Sequence, residues 1–509
     1  MNPANSPWWS SRAYVVAMIL AAALPLLWPS VPPLVDLPGH MGRYAIQLAD
    51  PASQLHRWYR FEWAVIGNLG VDLLVVPLSA LFGLELAVKL VVLTIPPLTV
   101  AGLLLSAREA HGEIPPTAAL ALPFVYGYPL QFGFVNFALS MALALLAFAL
   151  WLRLGRTGRL RLRAVLFVPI GIALWFVHSF GWGVLGLTAF AAETVRQRAA
   201  GRSVVATLWH AGLAVVPLPP PMALMLLWRS GDVAGTTGDW FRWDVKFVFL
   251  MQMLRNEGDT FDVWSAFGLM LVALFGLLGF RVRRAPQLML PGLLLVATFV
   301  LLPRVALGSA YADMRLAPYM IAVLLIAFAP RIADRRTLGG LAIVCTAFFL
   351  GRIAIQTATF VRLDGVWKDR LAILDAVPRG SRLFVLAEAG CNSGCYPSRL
   401  AHLDGLALVR REAFTNGQWA MAGAQLVRVV HPAGAFAVDP SQIVRPKHCI
   451  QRGGTRYPEV LTQFPRDQFD YLWLIDIPPD QRPRDSGLLP VREMPGGALY
   501  RIRRTPSAG

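Results

Sequence analysis

Charged residues are scarce in this chain of 509 residues: only 15% are Asp, Glu, Lys or Arg, whereas 56% are hydrophobic. Soluble domains carry nearer a quarter charged residues, so the composition excludes an ordinary soluble protein. Acidic residues are fewer than basic ones, with 30 Asp and Glu against 47 Lys and Arg, so the net charge is +17. Much of this excess lies in short arginine-rich segments between apolar runs, which is typical of cytoplasmic loops. We therefore predict a polytopic membrane protein with membrane lipids, and no nucleic acid, as partners.

Cysteine is also scarce, because four residues are too few for a disulfide scaffold. Cys391 and Cys395 lie close together in the C-terminal tail, and Cys449 follows. Their spacing is not a standard zinc pattern. We predict that these three are candidates for a structural disulfide rather than metal ligands, and that Cys345 packs inside an apolar run.

Several motifs of soluble enzymes are missing. The sequence has no P-loop, dinucleotide glycine fingerprint, HExxH or GxSxG in the structural context that each requires. No internal repeat of the kind common in secondary transporters is evident. These absences remove the most easily recognised nucleotide, zinc and serine chemistries.

The apolar runs predict about ten or eleven membrane crossings within a domain formed by residues 1–360. Residues 13–35 are read as an uncleaved first span with a cytoplasmic N-terminus. The arginine-rich segments 153–163, 196–202, 281–284 and 331–336 are predicted to be cytoplasmic. The chain is thus expected to be a multi-pass protein of a bacterial inner (plasma) membrane.

Two stretches do not fit a simple span. Residues 117–131 contain prolines and glycines and are predicted to be a re-entrant element, which must be buried in protein or line a wet cavity. Tyr126, Gln131 and Asn136 are therefore candidates for lining a substrate space. Residues 164–195 lie between two basic segments, so we predict two short helices with a turn near His178.

Polar residues inside apolar runs have two interpretations. Asp72 lies in the predicted second span and is a functional candidate, because placing an acid inside a membrane costs free energy. We favour a structural role instead, either a hydrogen bond between helices or an ion pair with Lys89. His178 is more simply a packed, hydrogen-bonded residue than a substrate ligand.

From residue 361 to residue 509 the composition becomes that of a soluble α/β or α+β domain, which we place on the extracytoplasmic side. Residues 382–387, 471–477 and 498–502 are predicted strands. Far upstream, the aromatic and basic segment 54–62 is predicted to rest on the membrane surface.

The first extracytoplasmic loop carries the strongest candidate site. Asp36 is the first acid of the chain, and Pro38 suits the first turn of a helix. On such a helix Asp36, His40, Arg43 and Gln47 share one face. Asp36 is either a helix cap or a catalytic group, because a carboxylate at a helix N-terminus fits both roles.

These residues form a D-x-P-x-H-x-x-R pattern, and with the segment Gly133-Phe134-Val135-Asn136-Phe137 they resemble predicted bacterial members of the GT-C superfamily of integral-membrane glycosyltransferases. The resemblance in layout covers the whole chain. It implies a GT-C-like fold, a polyprenyl-phosphate-linked sugar as donor, and Asp36 as the catalytic residue. A closely spaced second acid is missing, since the next is Asp50. That departure argues against a bound divalent metal, and no other cofactor is implied.

The residues suit this chemistry. Transfer of a glycosyl group to a hydroxyl needs a base for the acceptor proton and cations for the departing phosphate. Asp36 is the candidate base, and His40 the candidate for orienting it. The candidate substrate-binding residues are Arg43, Arg304, Asp313, Arg315, His178, Tyr126, Gln131 and Asn136. Arginine binds phosphate in a bidentate manner, although a salt bridge between Arg315 and Asp313 is an equal alternative.

Two rival functions remain. A transporter or lipid flippase would use Asp72, Asp36 and His178 as a relay or pocket. A non-catalytic assembly protein would bind a partner through its tail. The acceptor, whether glycan, lipid or protein, is not indicated by the sequence.

Overall fold

The structure is a computed structural model that describes residues 7–223, 237–257, 260–306, 308–390, 398–420, 426–446 and 455–503. Most of the chain up to residue 371 is helical. The helices are Arg12–Leu27, Leu37–Gln47, Gly70–Phe82, Leu84–His111, Tyr128–Phe132, Val135–Arg156, Leu160–Val177, Ser179–Ala199, Val204–Val215, Trp243–Met251, Thr260–Leu278, Pro286–Leu301, Ala312–Ile326, Arg335–Leu371, Gly405–Arg411 and Tyr457–Gln463.

Five helices within the described residues are long and apolar enough to cross a membrane: Leu84–His111, Val135–Arg156, Leu160–Val177, Thr260–Leu278 and the helical stretch Arg335–Ala376. Shorter apolar helices accompany them at Arg12–Leu27, Gly70–Phe82, Val204–Val215 and Pro286–Leu301. The protein is therefore a polytopic helical membrane protein, as the composition predicts.

Strands are concentrated in the tail. They are β1 (Tyr59–Phe61), β2 (Val282–Arg284), β3 (Phe328–Pro330), β4 (Arg382–Glu388), β5 (Phe414–Thr415), β6 (Val427–Val429), β7 (Ile443–Arg445), β8 (Thr455–Arg456), β9 (Tyr471–Ile475), β10 (Leu488–Met494) and β11 (Gly497–Ile502). Seven of the described strands form one mixed sheet in the order β10-β11-β9-β4-β7-β8, with β5 paired to β4. The strands β9, β4, β7 and β8 run parallel, while the hairpin β10-β11 is antiparallel. The three predicted strands of the tail are thus confirmed, as β4, β9 and β11.

The chain divides into two compact units. The helical unit comprises Met1–Trp28, Val65–Leu73 and Leu90–Thr359, and the sheet unit comprises Pro29–Ala64, Leu74–Lys89 and Phe360–Gly509. The loop after the first helix, which carries Asp36, therefore belongs to the same unit as the tail.

The segment 54–62 is where the sequence-based interpretation is wrong. It forms a short 3₁₀ helix, Gln54–Arg57, and then β1, which pairs antiparallel with β6 of the tail. Trp58 and Tyr59 are buried in the core of the sheet unit together with Phe414. Aromatic residues alternating with basic ones suit a half-buried strand as well as a membrane surface, so composition alone did not separate the two.

The stretch around His178 also differs from the prediction. A break is present, because one helix ends at Val177 and the next begins at Ser179. The helices are not short, however, since they have 18 and 21 residues. At 1.5 Å per residue the two helices are roughly 27 and 32 Å long, and Leu160–Val177 is long and apolar enough to cross a membrane.

The first helix is shorter than the predicted span 13–35, because it ends at Leu27. A proline-rich exit follows it, and proline lacks the backbone donor that helix continuation requires. The stretch after Thr117 is irregular, as predicted for a re-entrant element: a 3₁₀ helix, Ala118–Tyr126, precedes the short helix Tyr128–Phe132. The long helix Val135–Arg156 then begins.

Candidate functional site

The helix Leu37–Gln47 of the sheet unit positions Asp36 at its N-terminus, with Pro38 in its first turn. The Asp36 backbone has φ −88° and ψ −9°, which is helical rather than the extended conformation of a typical cap residue. Its carboxylate makes no capping hydrogen bond to the described residues of this helix. The side chain is nearly buried, with 8% of the residue exposed. Asp36 thus occupies the N-cap position without a side-chain capping hydrogen bond to the described helix.

His402 of the tail lies beside Asp36. Its Nε2 atom is 3.7 Å from Oδ1 of Asp36, and its Nδ1 atom is 3.8 Å from Oδ1 of Asp439. Gln442 donates from Nε2 to the Asp439 carboxylate over 2.8 Å and lies 3.3 Å from His402 Nδ1. The ring of Trp419 covers His402 with a centroid distance of 4.5 Å. The imidazole is thus held between two carboxylates and against an indole.

Glycines allow the Asp36 helix to approach the tail at backbone distance. A Cβ placed on Gly405 would lie 2.1 Å from the Pro38 carbonyl oxygen, and one on Gly39 would lie 2.7 Å from the Trp419 ring. Side chains at these positions would push the helix Leu37–Gln47 away from the helix Gly405–Arg411. The absence of side chains is therefore what brings Asp36 to His402.

His40 and Arg43 follow Asp36 on the same helix. The His40 ring is 5.0 Å from that of Trp419 and stacks on Tyr44 at 6.4 Å. Arg43 is 1% exposed, and its guanidinium lies 5.1 Å from the centre of the Tyr44 ring. The predicted common face of Asp36 and His40 is therefore present around Trp419, whereas Arg43 is enclosed by protein.

Burial controls protonation in this group. It lowers the pKa of His40 well below its usual value, and nearby Arg43 and His402 act in the same direction. Burial also lowers the pKa of His402, so both imidazoles are neutral near pH 7. Asp404 is affected in the opposite sense: burial raises the pKa of its carboxyl to about 7, and the Asp439 carboxylate contributes to that rise.

The helical unit contains a second group of candidates, in which arginines lie over aromatic rings. The guanidinium of Arg315 is 4.3 Å from the centre of the Phe134 ring, and that of Arg304 is 5.2 Å from the Tyr311 ring. Arg255 lies 5.8 Å from the Tyr128 ring. The aromatic residues belong to one apolar cluster: Tyr128, Phe132, Phe134, Phe249 and Tyr311. We call these three arginines and their rings the arginine-aromatic cluster.

Arg315 and Asp313 do not form the ion pair that the sequence offered as an alternative. Asp313 pairs instead with Lys246, whose ammonium group lies 2.9 Å from Oδ2, and both side chains are 1% exposed. Lys246 also donates to the carbonyl oxygens of Phe299 and Leu302. Arg304 lies 3.6 Å from Asp239. Asp313 is thus part of a buried structural pair.

The polar candidates in the helices form hydrogen bonds within the helical unit. Asn136 donates from Nδ2 to Asp72 Oδ2 over 3.0 Å and accepts from the Val71 amide over 2.6 Å. Gln131 donates to Gln356 over 2.5 Å. These contacts confirm the interhelical reading of Asp72.

Two further candidates have structural partners. The Tyr126 hydroxyl donates to the Ala22 carbonyl oxygen over 2.8 Å. His178 accepts a hydrogen bond at Nδ1 from the Phe180 amide, so it caps the helix Ser179–Ala199. This is the packed, hydrogen-bonded role that the sequence favoured.

Cys391, Cys395 and Cys449 lie outside the described residues, and Cys345 is a buried free thiol. Among the described residues, no group of three or more His, Cys, Asp or Glu side chains is arranged to hold a metal ion.

His402, Trp419, Lys246 and Arg255 were not found by sequence reasoning. His402 and Trp419 reach Asp36 and His40 through the tertiary fold, and a single sequence carries no periodic signal for such a distant pairing. Arg255 offered a weak signal, since it follows the aromatic helix Trp243–Met251 closely.

The fold and these groups define the class: a polytopic helical membrane protein with a C-terminal mixed sheet.

Two crystal structures of ArnT from Cupriavidus metallidurans match the chain. The apo structure is 13% identical over 96% of this chain and 97% of that chain, with a TM-score of 0.47. The structure bound to undecaprenyl phosphate is 13% identical over 96% and 98%, with a TM-score of 0.48. No family model and no curated protein matches this chain.

Proposed function

We propose that this chain is a GT-C-type glycosyltransferase that moves a sugar from a polyprenyl-phosphate donor to an extracytoplasmic acceptor, with Asp36 as the general base. The observation that carries the proposal is the position of the Asp36 carboxylate: it is nearly buried at the start of its helix and lies 3.7 Å from His402. A neutral imidazole that close can orient a carboxylate without holding its charge in a salt bridge. The resemblance of the D-x-P-x-H-x-x-R loop to GT-C proteins supports the same role.

The reaction has two requirements, which the proposal assigns to two groups of residues. Asp36 accepts the proton of the acceptor hydroxyl as its oxygen attacks the anomeric carbon of the donor sugar. The bond between that carbon and the polyprenyl phosphate breaks, and the phosphate leaves with the electron pair. His40 and His402 flank Trp419, whose ring is a suitable platform for a sugar or another apolar face of the acceptor.

The helical unit, taken by itself, carries a candidate group for binding a polyprenyl phosphate, the arginine-aromatic cluster. Arg315 is the leading residue there because its guanidinium lies closest to an aromatic ring, 4.3 Å from the centre of Phe134. Guanidinium groups bind phosphate through paired N–H donors, and the rings beneath them limit the orientations they adopt. The apolar surroundings suit a donor that carries a long isoprenoid chain.

The experiment is a transfer assay with purified full-length protein and labelled polyprenyl-phosphate sugars, comparing the parent with Asp36→Asn. Loss of a general base typically lowers the rate ~10²–10⁴-fold. Asp50→Asn is the matched control, because Asp50 is exposed just beyond the other end of the same helix and its carboxylate accepts a local bond from the Ala52 amide. Parent-like turnover by folded Asp36→Asn protein would remove Asp36 from catalysis.

The transporter and assembly readings make different predictions in the same assay. A flippase moves the labelled donor across proteoliposomes without cleaving it, and an assembly protein does neither. Two of the three residues that a transporter would use as a relay have structural roles instead, since Asp72 bonds to Asn136 and His178 caps a helix. We therefore retain the enzyme as the proposed function.

A further inference from the structure

A cavity of about 220 Å³ lies in the helical unit among the ends of several helices, and the proposed reaction does not use it. Trp151, Gly155 and Arg156 line it from the helix Val135–Arg156, and Arg163 lines it from the helix Leu160–Val177. Glu193 and Arg196 complete it with Glu109. We call this space the Trp151 cavity. Its arginines, Arg156, Arg163 and Arg196, belong to the arginine-rich segments predicted to be cytoplasmic.

The ion pairs around the Trp151 cavity leave it with a positive charge. Glu193 is 1% exposed, bonds to Arg196 and Gln197, and lies 3.1 Å from Arg163. At the rim, Arg156 donates to Glu109 over 2.6 Å. Three guanidinium groups therefore face two carboxylates within the wall, and one positive charge is left over.

Two buried donors in the same wall have no hydrogen-bond acceptor. Within the described part of the chain, Nη1 of Arg163 and Nε1 of Trp151 have no partner. These residues are 3% and 1% exposed, and the guanidinium stacks 4.0 Å above the indole ring. Guanidinium and indole N–H groups can only donate. A ligand that satisfies both must bring acceptor oxygens, and the leftover charge favours an anionic one.

We propose that the Trp151 cavity binds a phosphate group. Arg163 and Trp151 supply the buried donors, and the arginines at the rim supply charge. The volume of about 220 Å³ is far above that needed by a single water and is large enough for a phosphate with a small substituent. Two sources carry this chemistry: the headgroup of an anionic lipid such as phosphatidylglycerol, and a soluble phosphomonoester such as glycerol 3-phosphate. Basic pockets between membrane helices commonly bind such lipid headgroups.

Binding is measured on the purified full-length chain with both probes. Lipid retention is quantified after exchange from mixed phosphatidylglycerol and phosphatidylcholine micelles, and glycerol 3-phosphate is titrated calorimetrically. Selective retention of phosphatidylglycerol identifies the lipid source, whereas saturable binding of glycerol 3-phosphate identifies the soluble one.

Two variants tie the binding to the cavity. Trp151→Phe keeps an aromatic ring beneath Arg163 and removes the N–H donor, so we expect affinity to fall about tenfold. Gly155→Ala places a Cβ 3.1 Å from Nη1 of Arg163 and should weaken binding by a similar factor. Arg153→Gln removes one charge from an exposed position of the same segment and is the matched control.

The proposal is overturned if neither probe binds the parent, if both variants bind like the parent, or if Arg153→Gln weakens binding as much as they do. The melting temperature of each variant shows whether it is folded. Trp151→Phe, as the milder change, keeps the test decisive if Gly155→Ala does not fold.

Discussion

The imidazole of His402 lies between two carboxylates, with Nε2 3.7 Å from Asp36 and Nδ1 3.8 Å from Asp439. Burial lowers its pKa, so the ring is neutral near pH 7 and can present an N–H to only one of the two acids. Gln442 already donates to Asp439. The Gly417 backbone is a further hydrogen-bond partner of this ring. With Nε2 3.7 Å from the Asp36 carboxylate, we expect His402 to act as a positioning residue for the proposed base.

The first prediction concerns this positioning role. His402→Ala should lower kcat about tenfold and leave the KM for the lipid donor unchanged, since the carboxylate loses orientation and not its basicity. His402→Gln should recover part of the rate, because an amide N–H can replace the imidazole N–H. Steady-state kinetics with a labelled donor measures both. Exposed His56, which bonds to the Asp50 carbonyl, provides the control His56→Ala. Equal loss of kcat in the Ala and Gln variants would contradict the role.

The second prediction concerns the donor phosphate. Arg315→Gln should weaken binding of a polyprenyl phosphate roughly 10–100-fold, because a hydrogen-bonded charge on the phosphate is lost. Arg315→Lys should recover little, since an ammonium group cannot bind in a bidentate manner. Equilibrium binding of labelled polyprenyl phosphate is the measurement. Arg281→Gln, at an exposed position of a basic segment, controls for net charge. Parent-like binding by Arg315→Gln would exclude this residue.

The third prediction separates structure from catalysis at Asp313. Asp313→Asn leaves the Lys246 ammonium buried without its counter-charge and should destabilise the protein by ~3–5 kcal/mol. The pair Lys246→Met with Asp313→Leu should recover much of the lost melting temperature, because no buried charge remains. Thermal unfolding in detergent tests both. A normal melting temperature together with lost transfer activity in Asp313→Asn would instead indicate a direct role in the reaction.

The fourth prediction follows from Asp404, whose folded pKa is raised by burial to about 7, against ~3.9 in an unfolded chain. The folded state holds this proton more tightly, so its contribution to stability is complete below pH ~4 and is lost as pH rises to about 7. The loss is at most about 4 kcal/mol at 1.36 kcal/mol per pKa unit. Asp404→Asn removes this dependence, so its melting temperature relative to the parent should rise between pH 4 and pH 7. A constant difference over that range would contradict the shift.

Periodicity and composition predicted much of the helical unit, because apolar runs of spanning length carry a strong local signal. They also predicted Asp36 as the candidate base and a break at His178. Helix length at that break was underestimated, since Glu193, Arg196 and Arg198 near the C-terminal end of Ser179–Ala199 interrupt the apolar run without ending the helix. Proline at the exit of the first helix had the opposite effect and shortened a span that apolarity alone extends.

The partners of Asp36 could not be predicted in the same way. His402 and Trp419 approach because Gly39 and Gly405 permit close backbone contact, and only the tertiary fold shows which glycines meet. Lys246 was missed for the same reason: it pairs with Asp313, whereas the spacing in the sequence suggested a pair between Asp313 and Arg315. Local patterns therefore located the candidate base, while its surroundings depended on distant pairings.

The pairing of β1 with β6 has a consequence for biosynthesis. Tyr59 and Thr415, which hydrogen-bond in the core of the sheet unit, are 356 residues apart. At ~5–20 residues per second, the ribosome needs roughly 20–70 s to make the partner after the first loop emerges. Throughout that interval Asp36 lacks His402, which lies 3.7 Å from it in the complete chain. Under the proposed function, we therefore expect a chain truncated before His402 to lack transfer activity.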